Sequence, residues 1–159
     1  MENTAIYPGT FDPVTNGHLD IISRGAEIFG QIIVAVAEGG KKAPMFSLDE
    51  RVQMINESLG GQRGVTVEPF RGLLVNFARE RRSRLVIRGL RAVSDFEYEF
   101  QLALMNRKLS PDLDTMFVMP SEKYVYLNSS LVREIAALGG DVAELVPPTV
   151  ARRLKERFK

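Results

Sequence analysis

The sequence contains no cysteine, which excludes disulfides, thiolate metal sites and a cysteine nucleophile, and fits a reducing cytoplasm. It has one histidine, His18, so a histidine-rich metal centre is excluded as well. It lacks an excess of charge of either sign. Lys and Arg number 21 against 20 for Asp and Glu, which leaves no field favouring nucleic acid or a membrane surface. No apolar run approaches the roughly 20 residues that cross a bilayer. The opening residues, Met1-Glu-Asn-Thr4, lack the basic and apolar regions of a signal peptide. Three common fingerprints are missing too: the G-x-x-x-x-G-K-[ST] loop, the G-x-G-x-x-G turn and the G-x-S-x-G elbow. These absences lead to the expectation of a soluble cytoplasmic protein, a single domain over residues 1–159, with no ready-made nucleophile.

The pattern that is present alternates strand and helix. Ala5-Ile-Tyr7 is a short apolar segment running into a Gly- and Pro-rich stretch, Pro8 to His18. Leu19, Ile22, Ala26 and Phe29 then recur at helical spacing. Gln31–Ala37 is β-branched and apolar almost throughout, as a parallel strand covered on both faces should be. Glu38–Phe46, with Lys41 and Lys42, reads as an exposed loop. Ser47-Leu-Asp-Glu50 is a capping box before a stripe of Leu48, Val52, Ile55 and Leu59, ended by Gly60-Gly61. Val65–Val67, Leu85–Ile87 and Thr115–Met119 are the remaining strands, with a helix expected over Leu73–Arg82. A second capping box, Ser94-Asp-Phe-Glu97, should open a helix to Lys108, and the serines of Asn128-Ser-Ser130 should cap one ending near Leu138. Pro147-Pro148 precedes a last helix, Thr149–Phe158. Such alternation implies an α/β protein, a Rossmann-like open five-stranded parallel sheet with helices on both faces.

In sheets of this kind ligands bind outside the strand C-terminal ends. Those ends carry Thr10 and His18, the Lys41-Lys42 loop, Leu73-Leu74, Arg88 and Arg91, and Tyr124 to Ser130. Each cluster also has a plainer role. His18 could cap or pack a helix start, Lys42 could be a solvated lysine, and Asn128-Ser129-Ser130 could simply cap. Two arginines at the end of a buried strand are harder to explain by surface pairing and point to an anion clamp. The set is poorly equipped for proton shuttling or covalent catalysis. It is well equipped to hold negative charge, which is most of what phosphoryl or nucleotidyl transfer requires.

Gly9-Thr-Phe-Asp-Pro-Val-Thr-Asn-Gly-His18 resembles the T/H-x-G-H signature of the nucleotidyltransferase superfamily. Arg88-Gly-Leu-Arg-Ala-Val-Ser-Asp-Phe-Glu-Tyr-Glu99 and Ser129-Ser-Leu-Val-Arg-Glu134 narrow the resemblance to the bacterial phosphopantetheine adenylyltransferases, across nearly the whole chain. Asn128 departs from the serine frequent there. The resemblance implies transfer of the adenylyl group of ATP to 4′-phosphopantetheine by direct in-line attack, giving dephospho-coenzyme A and pyrophosphate, the penultimate step of coenzyme A biosynthesis.

It implies further that His18 stabilises charge on the α-phosphate and that Thr10 and Lys42 orient the attacking phosphate. Arg88 would hold the pantetheine phosphate, with Leu74 lining the pantetheine site. The ATP residues would be Thr10, Phe11, His18, Gly89, Leu90, Arg91, Glu99, Tyr124, Val125, Tyr126, Leu127, Asn128, Ser129 and Ser130. Magnesium carried by the ATP phosphates, a homohexamer and feedback by coenzyme A are also implied, with no nucleic-acid or membrane partner. The competing functions are a small nucleotidyltransferase with another acceptor or CTP, a non-catalytic nucleotide sensor, and an oligomeric scaffold.

Overall fold

A computed structural model describes residues 4–40 and 42–159. Lys41, expected beside Lys42, lies outside the described residues, as do residues 1–3. Five strands form one parallel sheet: β1 (Thr4–Gly9), β2 (Gln31–Ala37), β3 (Val65–Phe70), β4 (Leu85–Gly89) and β5 (Asp114–Val118). Between and after them come α1 (Asn16–Phe29), α2 (Leu48–Leu59), α3 (Leu74–Glu80), α4 (Val93–Leu109), α5 (Ser129–Ala137) and α6 (Pro148–Arg157). A single 3₁₀ turn, Glu122–Tyr124, lies between β5 and α5.

The strand order is β3-β2-β1-β4-β5. The chain therefore builds outward from β1 to β3, returns to the centre, and builds outward again through β4. Side chains alternate across this sheet as the period of two requires. Ala5, Tyr7, Val34 and Ile87 enter a core with α1, α2, α5 and α6. Ile6, Ile33, Ala35 and Val86 enter a second core with Val75, Phe77 and Ala78 of α3. Burial on both faces explains why β2 is apolar along its length.

β1 pairs with β2 over six residues but with β4 over only two, Ala5 with Leu85 and Ile6 with Val86. Beyond Ile6 the two central strands part. Pro8 has no N–H to offer a neighbouring strand, and its carbonyl instead accepts from Arg88 Nη1 at 2.8 Å. A crevice thus opens at the C-terminal ends of β1 and β4, where the strand order reverses.

Two expected caps differ. α4 starts at Val93 with Ala92 at the cap position and no side-chain cap, so Ser94 falls inside the first turn rather than before it. α5 is capped by Asn128, whose Oδ1 accepts from Leu131 N at 2.8 Å. Asparagine is a cap as strong as serine, and this assignment moves Ser129 and Ser130 into the first turn. The Ser47–Glu50 capping box forms as expected.

At the edge of the sheet, Gly64 has φ 75° and an added Cβ would lie 2.3 Å from the Gly30 carbonyl oxygen. Its own carbonyl accepts from Ile32 N, so the turn is fixed from both sides. Gly64→Ala should lower the unfolding free energy by about 2 kcal/mol or more. The measurement is the urea midpoint at unchanged slope, and an unshifted midpoint would contradict the packing described.

Candidate active site

The crevice is a cavity of about 520 Å³, within the range of small-molecule sites. Its wall combines Thr10, Phe11 and His18 after β1 and Lys42 after β2. To these are added Arg88, Gly89, Arg91 and Glu99 from β4 and α4, and Tyr124, Asn128, Ser129 and Ser130 after β5. These are residues that sequence reasoning selected, drawn from four different chain segments. Leu74 is not on this wall. It begins α3 and packs against the second core. Leu90, Val125, Tyr126 and Leu127 also stand off the wall, although the Leu127 carbonyl accepts from Arg91 at 2.9 Å.

His18 both caps its helix and lines the cavity. Thr15 caps α1, its Oγ1 accepting from His18 N at 3.3 Å, while Thr15 N donates to His18 Nδ1 at 3.0 Å. The imidazole therefore occupies the place that Glu or Gln takes in a capping box. A backbone N–H can only donate, so Nδ1 is unprotonated and the ring proton sits on Nε2. Burial, reinforced by the nearby Arg91 and Arg88 cations, lowers the His18 pKa to about 3. At neutral pH the ring is an uncharged Nε2–H donor.

Packing fixes its plane. Phe11 meets His18 edge-on at 5.0 Å and Tyr7 at 5.3 Å. Phe11 takes φ 50°, a conformation unusual for a bulky residue. Its ring occupies the space beside Gly9, where a Cβ would come within 3.0 Å of it. Burial holds the Tyr7 phenol above its usual pKa although Arg88 and Arg91 pull the other way, so it supplies no base.

Each arginine is aimed by a partner. Arg88 makes a two-pronged pair with Glu99, Nε to Oε2 at 2.8 Å and Nη2 to Oε1 at 2.7 Å. Burial works against the Arg88 charge, and the Glu99 carboxylate more than offsets it. One N–H remains on each terminal nitrogen. Arg91 donates from Nε to Asp95 at 3.1 Å and from Nη1 to Leu127 O, leaving Nη2. Ser129 Oγ donates to Pro13 O at 2.7 Å, which leaves its backbone N–H at the start of α5 as the donor for an anion. The loop after β5 is tied to α1, with Ser121 N and Oγ donating to Asp20 at 2.7 and 2.8 Å.

Sequence reasoning missed Arg133 and Asp12, both on the wall. Arg133 donates to Asp12 O and, from Nη2, to Ser130 Oγ at 3.1 Å. A signal existed, because Arg133 lies one helical turn beyond Ser129 and Ser130 and so shares their face. Among the described residues, four cations (Lys42, Arg88, Arg91, Arg133) face the cavity with three carboxylates (Asp12, Asp95, Glu99). The carboxylates are occupied in holding guanidinium groups or backbone N–H groups, so the spare donors point to an anionic ligand.

Fold and site together define a nucleotidyltransferase-type α/β protein, and residues 6–135 match the cytidylyltransferase-like family. The chain superposes on a bifunctional NMN adenylyltransferase/ADP ribose pyrophosphatase from Francisella tularensis with a TM-score of 0.73. That match has 16% identity and covers 98% of this chain and 49% of that one, a likeness of fold. Much nearer in sequence is the phosphopantetheine adenylyltransferase of Oleidesulfovibrio alaskensis, 56% identical over 97% of this chain and 91% of that protein. That of Thiobacillus denitrificans is 54% identical over 98% of each. The chain belongs to the phosphopantetheine adenylyltransferase family within this cytidylyltransferase-like group.

His18 is the sole histidine, so its ring nitrogens can be followed without ambiguity by ¹⁵N NMR. The spectrum should show a neutral ring with the proton on Nε2 and no titration between pH 5 and 7.5, because the folded pKa lies near 3. In the unfolded chain the ring takes a proton below about pH 6.5. Acidification through that value should therefore weaken the fold at this residue, down to about the folded pKa. A midpoint near the unfolded value would refute the buried, Nδ1-accepting ring.

Proposed function

We propose that the cavity binds ATP beside 4′-phosphopantetheine and joins them into dephospho-coenzyme A, releasing pyrophosphate, the penultimate step of coenzyme A biosynthesis. The observation that carries this is the convergence of four cations and one neutral imidazole donor on the crevice between β1 and β4. The names of relatives 54–56% identical over nearly the whole chain support the substrates. A phosphate oxygen of phosphopantetheine attacks the α-phosphorus, and the bond from that phosphorus to the α–β bridging oxygen breaks. The electron pair leaves with pyrophosphate. The attacking phosphate is already anionic, so no base is needed. The obstacle is the repulsion between two anions, which the cations lower.

His18 donates from Nε2 to an oxygen on the α-phosphate, a contact that strengthens as charge builds there. Thr10 and Lys42 orient the attacking phosphate, and Arg88 holds it with its remaining N–H groups. Arg91, Arg133 and the N–H groups of Ser129 and Ser130 receive the β- and γ-phosphates at the positive end of α5. Glu99 is assigned to ATP, and its pair with Arg88 also aims that guanidinium at the attacking phosphate. Phe11, the Gly89–Arg91 backbone and the segment Tyr124 to Asn128, with Val125, Tyr126 and Leu127, surround the nucleotide. The pantetheine arm runs toward Leu74.

Magnesium belongs to the same proposal. Asp12, Asp95 and Glu99 on the wall are already engaged. Among the described residues no group of three or more His, Cys, Asp or Glu could hold a metal ion. The ion is therefore taken to arrive on the ATP phosphates, and none of the protein's steps is assigned to it.

A homohexamer is supported by apolar side chains left in solvent on α4 and β5. Phe96, Phe100, Leu104, Met105, Leu109 and Met116 are about half exposed, and β5 is a sheet edge. Patches of this kind on soluble chains mark interfaces. Coenzyme A, which shares the pantetheine arm, is the proposed feedback ligand. No helix among the described residues is long and apolar enough to cross a membrane; a cytoplasmic site of action belongs to the same proposal.

Pyrophosphate release from ATP should require 4′-phosphopantetheine; release without the acceptor, or none with it, would refute the function. His18→Ala should lower kcat by about 10²–10³ with ATP binding retained. In Arg88→Ala the KM for phosphopantetheine should rise more than that for ATP, and the reverse pattern would exchange the roles of Arg88 and Arg91.

A further inference from the structure

Arg51 is a guanidinium in the core. It lies on α2 at 1% exposure, and all its hydrogen bonds go to backbone carbonyls. Nη1 donates to Thr10 O at 2.6 Å and Ala37 O at 2.7 Å, Nη2 to Glu38 O at 2.8 Å, and Nε to Phe46 O at 3.1 Å. Four of its five N–H groups are thereby used. Burial works against the Arg51 charge, and the nearby carboxylates, Asp12 and Glu38, favour that charge without forming an ion pair with it. Such burial is expensive, and fold stability alone would be met by an apolar residue with fewer open carbonyls. The acceptors themselves indicate a purpose. Ala37 ends β2 and Glu38 begins the loop that carries Lys42, Phe46 ends it, and Thr10 belongs to the loop after β1.

Asp12 completes the clamp from the other side. It is 6% exposed, and its Oδ2 and Oδ1 accept from Met45 N and Phe46 N at 2.8 and 2.9 Å. The Phe46 peptide groups are thus gripped at both ends, N–H by Asp12 and C=O by Arg51. The Phe46 ring is buried beneath them at 2% exposure. Lys42, by contrast, is exposed on the span between the two anchors. The anchors fix the two ends of the span that carries it.

We propose that Arg51 and Asp12 are positioning residues for the reaction, holding the two ends of the Lys42 loop in register with Thr10 so that both meet the attacking phosphate. This rests on the role given to Lys42 above. Positioning is worth a great deal in such a reaction, since a displacement of about 1 Å can cost on the order of 10²-fold in rate.

The test is a double-mutant cycle on the full-length protein, with urea unfolding run on every variant. Arg51→Lys keeps the charge, but its single ammonium group cannot reach carbonyls spread along a planar fork. It should fold, lower kcat by about 10-fold or more, and raise the KM for phosphopantetheine above any change for ATP. In a Lys42→Ala background the same substitution should cost at least about 3-fold less in kcat than in the wild type, because one of the two groups it positions is gone. An equal loss in both backgrounds, or unchanged kinetics in the single variant, would overturn the proposal. Asp12→Asn, which keeps the shape and one acceptor oxygen, carries the same cycle if Arg51→Lys does not fold. Lys42→Ala leaving turnover and phosphopantetheine KM unchanged would instead remove the role of Lys42, a failure read from that single variant.

Discussion

The ladder between β1 and β4 stops after two residue pairs, and the site depends on that opening. A continuous ladder would have spent the backbone groups at these strand ends and closed the floor of the crevice. The strands part at the reversal of strand order, where no crossover covers the sheet end. Arg88 fills the base of the gap, bonding to Pro8 on one strand while projecting from the other. The same side chain therefore closes a structural gap and begins the anion site.

Charge in the cavity is arranged rather than merely accumulated. Glu99 and Asp95 each orient a guanidinium, leaving N–H groups on the far side of each arginine. Low exposure makes the Arg88–Glu99 pair matter more than a surface pair of equal length, since water screens it less. Burial, reinforced by Arg91 and Arg88, keeps His18 neutral. A neutral donor suits a site that must hold phosphate oxygens without giving up a proton. It also explains how one histidine suffices: its Nδ1 is committed to the helix cap, so it has one chemical task.

Much of this was legible beforehand. The β-branched runs identified strands because both sheet faces are covered, and the Ser47 capping box marked α2 because capping is local. The strand-end clusters at Thr10, His18, Lys42, Arg88 and Arg91 were legible because parallel sheets put ligands there. Arg51 was not singled out, although it falls within the apolar stripe of Leu48, Val52 and Ile55, where a charge signals a buried partner set. Glu99 was read as a nucleotide residue, and nothing local reveals that it also faces Arg88; Leu74 was grouped with strand ends that the cavity does not reach. The cap of α5 went to the wrong residue since asparagine and serine compete on nearly equal terms.

The sequence by itself determined the order of elements, the apolar periodicity of the sheet, and the set of phosphate-seeking side chains, because these rest on interactions within a few residues. Its three motif blocks also sufficed for the family. Only the tertiary structure decided which of those side chains share a cavity, which nitrogen of His18 carries the proton, and which carboxylate aims which arginine. The His18 cap and the arginine–carboxylate pairs join residues only 3 to 11 apart but needed the folded geometry to be read. The shared cavity depends on contacts between residues 80 to 121 apart, such as Arg88 with Pro8 and Arg133 with Asp12. Such contacts come into being only when the central strands have paired and then parted.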